Sequence, residues 1–314
     1  MKSLISIIIP MYFEEKIVEA CYSRLTQVMD REENYDYELI FVNDGSKDQT
    51  LPLLLEKAEQ NKKVKVISFS RNFGHQAAVS CGIDYASGDA LVIIDADLQD
   101  PPELIPKMLE LWGEGNEVVY GKRKRRKGET WFKLITAKLF YRLLGWLTDV
   151  TIPVDTGDFR LIDRKVANVI KSLPEHNRFL RGLVAWVGFK QIPLEYEREA
   201  RLAGETKYPL KKMIHFALDG IFSFSSKPLR LIINLGIFSV VVSLGVLIYS
   251  LVAYLSTGIF TVRGWTSLMV VITFLGGVQL VSIGILGEYI GRMYDESKGR
   301  PLYIVDTTCN VDKK

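Results

Sequence analysis

Two long stretches without a charged side chain, Leu231–Val262 and Gly264–Gly287, constrain this chain more than anything else in it. A helix needs ~20 consecutive apolar residues to cross the hydrocarbon core of a bilayer, and both stretches exceed that. Two spans are therefore expected, near 231–254 and 267–289, with Arg263 the only charge between the two runs. Lys211, Lys212, Lys227 and Arg230 precede the first span, and Arg292, Lys298 and Arg300 follow the second. Cationic flanks stay on the cytoplasmic side. A large domain over 1–228, a tail over 293–314 and both termini are thus expected in the cytoplasm, on a protein integral to the cytoplasmic (plasma) membrane. The mean hydropathy of +0.10 agrees with a membrane module. A net charge of only +3 gives no support to nucleic-acid binding. Cys21, Cys81 and Cys309 are too few and too scattered for a disulfide framework or a zinc site. Ser6–Ile9 is too short for a signal peptide and runs into Pro10.

The first hundred residues alternate short apolar runs with helical patterns. Strands are expected at Leu4–Ile9, Glu38–Asn43, Val64–Phe69 and Ala90–Asp95, and helices at Glu14–Met29, Thr50–Gln60 and Gln76–Ala86. Continuously apolar strands separated by helices imply an α/β fold with a parallel sheet covered on both faces. Ligands of such sheets bind beyond the carboxyl ends of the strands. The polar residues there are Asn43-Asp44-Gly45-Ser46, Arg71-Asn72 and Asp95-Ala96-Asp97. The chain has no G-x-x-x-x-G-K-[ST] loop and no G-x-G-x-x-G after a strand, so ATPase and dinucleotide-binding folds lose their usual support. Lys122–Lys127 is a basic run, and the segments near 131–147 and 209–226 mix aromatic and cationic residues as interfacial helices do.

Asp95 and Asp97 end the fourth strand in Asp-Ala-Asp-Leu-Gln-Asp-Pro-Pro. Paired carboxylates at a strand end suit Mg2+ or Mn2+, hard cations that bind oxygen and can bridge a diphosphate. Asp44 could accept hydrogen bonds from a base or ribose, with Gly45 allowing close backbone approach; it could equally cap the next helix. Asp158 lies in a polar island, Asp155–Arg160, and either it or Asp163 could cap the helix that follows. Arg123, Arg126, Arg198, Arg201 and Lys207 are candidate phosphate ligands, because a guanidinium grips phosphate with two parallel hydrogen bonds. Attraction to anionic lipid is their alternative role. His75, at a helix start, reads as structural.

Together these motifs resemble glycosyltransferase family 2, whose fold is GT-A, and within it the polyprenyl-phosphate glycosyltransferases. The resemblance runs from Ile7–Pro10 through Val42–Ser46, Ser70–His75, Asp95–Pro102, Gly121–Arg123 and Asp158–Arg160 to Gly287–Arg292 and Arg300–Tyr303. It implies a nucleotide-sugar contact set of Pro10, Asp44, Arg71, Asp95 and Ala96. It also implies Asp95, Asp97 and Gln99 around the metal, and Asp158 near the acceptor. Arg198, Arg201 and Lys207 would lie on a mobile loop closing over the site; that loop carries Gly204-Glu205-Thr206-Lys207, where relatives have Gly-x-Ser-Lys. The implied reaction is inverting transfer of a hexose from a UDP-hexose, UDP-glucose first, to a polyprenyl phosphate. UDP-N-acetylglucosamine and GDP-mannose are the other donors to test. A homotetramer is typical of similar proteins. A processive polysaccharide synthase is the rival class, but the chain lacks the Gln-x-x-Arg-Trp motif.

Overall fold

The computed structural model describes residues 2–124, 156–176, 178–197, 222, 225–257 and 265–311. The expected interfacial helices, apart from Phe222, Ser225 and Ser226, lie outside these residues, as do Arg126, Arg198, Arg201 and Lys207.

The N-terminal half builds as its periodicity requires. Strands β1 (Ser3–Met11), β2 (Tyr35–Asn43), β3 (Val64–Phe69) and β4 (Ala90–Ile93) alternate with helices α1 (Val18–Met29), α2 (Thr50–Gln60) and α3 (His75–Tyr85). β1, β2, β3 and β4 pair in parallel with β1 between β2 and β4. Successive side chains point to opposite faces of a strand, and both faces here are apolar. Ile5, Ile7, Ile9, Leu39, Phe41 and Val92 enter one core with α1, while Ile8, Ile40, Val42, Leu91 and Ile93 enter the other with α3. Burial on both faces is why these strands read as unbroken apolar runs.

The rest of the sheet is mixed rather than purely parallel. A 3-10 turn (Pro102–Leu104) and α4 (Ile105–Gly113) lead to β5 (Val118–Arg123). After the undescribed segment come β6 (Thr156–Asp163), α5 (Arg164–Ser172), α6 (Leu180–Trp186) and β7 (Gln191–Tyr196). β6 inserts antiparallel between β4 and β5, and β7 runs parallel to β5 at the edge. The helix cap is Asp163, whose carboxylate accepts the Lys165 amide at 2.8 Å. Asp158 lies inside β6 instead.

Two helices of 31 and 33 residues follow, α7 (Lys227–Thr257) and α8 (Trp265–Ser297). At ~1.5 Å per residue each is longer than the ~30 Å hydrocarbon core of a bilayer. The Ser225 hydroxyl accepts the Lys227 amide at 3.0 Å at the start of α7. Gly299 ends α8 with a left-handed φ of +57°. Phe238, Val240, Tyr249, Phe274, Leu280 and Val281 are exposed along the pair. Among the described residues one stretch, Phe274–Ser297, is long and apolar enough to cross a membrane, against the two spans expected.

The residues expected as a tail do something the sequence pattern did not suggest. Val305–Cys309 forms β8, which pairs antiparallel with β3 as the eighth strand. The sheet therefore contains chain from both sides of the helical hairpin.

Gly82 of α3 lies against β1, and a Cβ there would sit 2.2 Å from Cγ2 of the buried Ile8. Alanine gains ~1 kcal/mol of helix propensity over glycine, but overpacking a close-fitted core costs ~1–3 kcal/mol. Cγ2 is a methyl on the branched Cβ of Ile8, which is fully buried, so the clash prevails. Gly82→Ala is expected to lower the melting temperature in detergent; an unchanged or higher value would show that α3 shifts freely on the sheet.

Candidate active site

The ladder between β4 and β6 sets the site. Ile93 pairs with Arg160 in antiparallel register. Continuing that register two residues puts Asp95 opposite Asp158, at the edge where β1 to β4 end. Two carboxylates there repel unless cations intervene. His75, the first residue of α3, places Nε2 3.0 Å from Asp158 Oδ2 and 3.8 Å from Asp95 Oδ1. Arg181, in the first turn of α6, donates to Asp158 through Nε at 2.6 Å and its terminal nitrogen at 3.1 Å. Arg160 is buried behind them and donates to the Gly157 carbonyl at 3.0 Å.

The charge states follow from these contacts. Burial alone would raise the Asp158 pKa, but Arg181 and His75 hold it well below the ordinary carboxylate range. Burial would likewise lower His75; its hydrogen bond to Asp158 and the charge of Asp95 instead carry it up to about 9. Asp95 is pushed up to about 6, first by burial and then by Asp158, Asp100 and Asp97, with His75 opposing. Burial lowers Arg160 to about 10, against the pull of Asp158. At neutral pH Asp158 is thus an anion held by cations.

The loop after β4 is tightly wound. The Gln99 amide donates to Asp97 Oδ1 at 3.1 Å. Between them Leu98 adopts a φ of +53°, a left-handed conformation that a bulky side chain rarely takes, and is buried. Asp97 remains partly exposed; Ala96 and Gln99 are buried. Asp100 is fully buried, accepts the Tyr196 hydroxyl and lies 3.7 Å from Arg123 at the end of β5. The Arg123 Nε donates to the same hydroxyl at 3.3 Å.

Asp44 and Arg71 form a neighbouring corner. The Asp44 carboxylate accepts the Phe73 amide at 2.7 Å, the Gly74 amide at 2.9 Å and the Asn72 side chain at 2.8 Å. It is buried, which pushes its pKa up while the two amides oppose. Gly45 has a φ of +68°, and a Cβ would stand 2.4 Å from the Arg71 carbonyl carbon. Asp44 thus ties the loops after β2 and β3 together. Pro10 is buried in β1, and just beyond it Tyr12 and Phe13 are exposed. The Arg71 guanidinium lies 4.0 Å over the Phe73 ring.

Asp95, Asp97, Asp158 and Arg123 therefore share one edge of the sheet, beside Asp44 and Arg71. Sequence reasoning missed Arg181 and read His75 as structural. Arg181 left one signal, a charge inside the otherwise apolar Phe179–Trp186. Among the described residues His75, Asp95 and Asp158 bring ligand atoms within 4.8 Å of one another. The carboxylate oxygens of Asp95, of Asp158 and of Asp97 beside them are hard donors that suit Mg2+ or Mn2+, whereas a protonated His75 has no lone pair to offer.

The chain belongs to glycosyl transferase family 2: the family matches residues 6–170. Residues 227–293 match a second family, the GtrB C-terminal hairpin. It is a glycosyltransferase. The chain is 54% identical to the uncharacterized glycosyltransferase YkcC of Bacillus subtilis (strain 168), over 98% of this chain and 95% of that one. It is 43% identical to the prophage bactoprenol glucosyl transferase homolog of Escherichia coli (strain K12), over 96% and 98%. The bactoprenol glucosyl transferase of Shigella phage SfV is also 43% identical, over 96% and 97%.

Below about pH 6 a divalent cation binding Asp95 would have to displace its proton. Ligand deprotonation makes metal affinity pH-dependent, by about tenfold per pH unit for one proton. Asp95 carries that proton below about 6 and has lost it above. Mn2+ affinity, measured by calorimetry between pH 5 and 7, is expected to rise through this range and flatten above it. A flat profile would remove Asp95 from the metal site.

Proposed function

We propose that this enzyme transfers a hexose, with UDP-glucose the leading donor, to a polyprenyl phosphate at the cytoplasmic face of a membrane, with inversion at the anomeric carbon. The observation that carries this is the cluster of Asp95, Asp158, His75 and Arg181 at the carboxyl edge of the sheet, in a chain that carries an exposed apolar hairpin. Likeness to relatives named bactoprenol glucosyl transferase over nearly their whole length supports the acceptor.

Connectivity supports an arrangement with two membrane crossings. β8 lies in the same sheet as β1 to β7, so the chain leaves that sheet and comes back to it. A single crossing would strand β8 on the far side of the bilayer. The hairpin must cross twice or not at all, and side chains as apolar and exposed as Phe238 and Phe274 favour two crossings. The catalytic domain and both termini then share the cytoplasmic side, consistent with the cationic flanks. Lys227, Arg230, Arg292 and Lys298 border the headgroups, where a lipid phosphate resides.

In the transfer, an oxygen of the lipid phosphate forms a bond to the anomeric carbon. The bond from that carbon to the nucleoside diphosphate breaks, and its electron pair leaves with the diphosphate. Asp95 and Asp97, with Gln99, are the residues that would hold Mg2+ or Mn2+. Such an ion supplies positive charge against the negative charge growing on the leaving diphosphate. Asp44 and Arg71, with Pro10 and Ala96, form the nucleotide end. Phosphate monoesters lose their second proton near pH ~6, so the nucleophile is already largely anionic at neutral pH. Asp158 then has no proton to remove. It holds Arg181 and His75 in place, cations suited to receiving the acceptor phosphate. Arg123, Arg126, Arg198, Arg201 and Lys207 are assigned to the same phosphates, and a homotetramer is the proposed assembly.

Purified enzyme with undecaprenyl phosphate, Mn2+ or Mg2+ and labelled UDP-glucose, UDP-N-acetylglucosamine or GDP-mannose should move label into the organic phase from one donor. Asp97→Ala should lower that rate by at least about 10²-fold, the scale of losing one preorganised charge-stabilising group. No transfer from any donor by folded enzyme would refute the assigned acceptor.

A further inference from the structure

Beyond the hairpin the chain does more than add an edge strand. Tyr303 stacks on Phe69, the last residue of β3, with ring centroids 5.0 Å apart and planes 14° from parallel. Its hydroxyl donates to Asp84 of α3 at 2.8 Å. The next residue, Ile304, accepts the Ser70 amide through its carbonyl at 3.1 Å. One short segment thus grips both elements that flank the loop 70–74.

That loop carries the nucleotide corner. Phe69 packs edge-on to Phe73 at 5.7 Å. Phe73 bears the Arg71 guanidinium on its face, and its amide holds Asp44. His75 follows directly at the start of α3. The path from Tyr303 to Asp44 and Arg71 passes only through rings in contact and hydrogen bonds. A bulge in the β3–β8 pairing falls between Ser68 and Phe69, where the ladder gives way to this grip. The other end of the segment is fixed independently: the Asn310 side-chain Nδ2 donates to the Ala58 and Val64 carbonyls at 2.6 and 2.9 Å, at the opposite end of β3 from the loop.

We propose that Tyr303 is a positioning residue for the donor: the segment emerging from α8 holds the loop 70–74, and with it Asp44 and Arg71, in the geometry that receives the nucleotide. This rests on assigning the Asp44–Arg71 corner to the nucleotide. The membrane hairpin is thereby joined to the donor site by the five residues 298–302 between the end of α8 and Tyr303.

The test uses the full-length enzyme in detergent. Tyr303→Leu removes both the stack and the hydroxyl; it is expected to raise the donor KM by about tenfold while the acceptor KM stays within about twofold. Tyr303→Phe keeps the stack and should stay within about threefold of wild type. Asn310→Ala loosens the far end of the strand; it should lower the melting temperature and leave the donor KM unchanged. A donor KM in Tyr303→Leu no higher than in Asn310→Ala, or equal rises in donor and acceptor KM, would overturn the proposal. If Tyr303→Leu fails to fold, Tyr303→Met, which also removes the ring and the hydroxyl, is read by amide exchange: the peptide covering 70–76 should exchange faster than in wild type, and equal rates would refute the grip. Wild-type enzyme that transfers no sugar would count against the functional assignment, and the exchange result would still judge Tyr303.

Discussion

The antiparallel register between β4 and β6 is the constraint on which the site depends. It brings Asp95 and Asp158 to facing positions at the carboxyl edge of the sheet. Two like charges cannot be set there without compensation, and the fold supplies it from two helix starts. His75 comes from α3 and Arg181 from α6. The helices must therefore begin where they do, which in turn fixes the loops before them. The loop before α3 is the one that Asp44 braces through the Phe73 and Gly74 amides. Truncating both cations would leave a buried carboxylate unpaired, a far larger penalty than the modest net gain of the intact pairs.

The second organising fact is topological. A chain that leaves its sheet through a long apolar hairpin and returns to it as β8 has its catalytic domain held at both ends. A lipid phosphate stays at headgroup depth, so an enzyme acting on it must be kept there in one orientation. In the proposed two-crossing arrangement, a double tether would restrict rotation of the domain more than one flexible linker can. The contact between the His176 amide and Glu296 at the end of α8, at 2.8 Å, adds a third point of attachment.

Much of this was legible before any coordinates. The strand Val64–Phe69 and the helix Thr50–Gln60 emerge with the expected bounds, because burial on both faces leaves an unbroken apolar run and a helix needs only one apolar stripe. The α1 helix starts later than expected, at Val18, since the Glu14 amide bonds the Thr50 hydroxyl at 3.0 Å and opens a turn. The acidic loop after β4 was legible from its carboxylate spacing. Its partners were not: His75 and Arg181 lie 83 and 23 residues from Asp158, and only the strand order brings them together. Val305–Cys309 offered no apolar run to read. It is an edge strand with one face partly open, and its partner lies more than two hundred residues earlier.

The central claim is that Asp158 is a fixed anion that orients cations, not a base that takes a proton. Single-turnover sugar transfer by Asp158→Asn, with donor and acceptor both saturating, tests it most directly. Asparagine keeps an acceptor oxygen for Arg181 but cannot accept a proton. The account predicts a rate at pH 6.5 within about tenfold of wild type, with the alkaline fall moved to lower pH because His75 loses the carboxylate that raises it, whereas general-base catalysis contributes ~10²–10⁴-fold. A loss of about 10³-fold or more, with both substrates still bound, would contradict it.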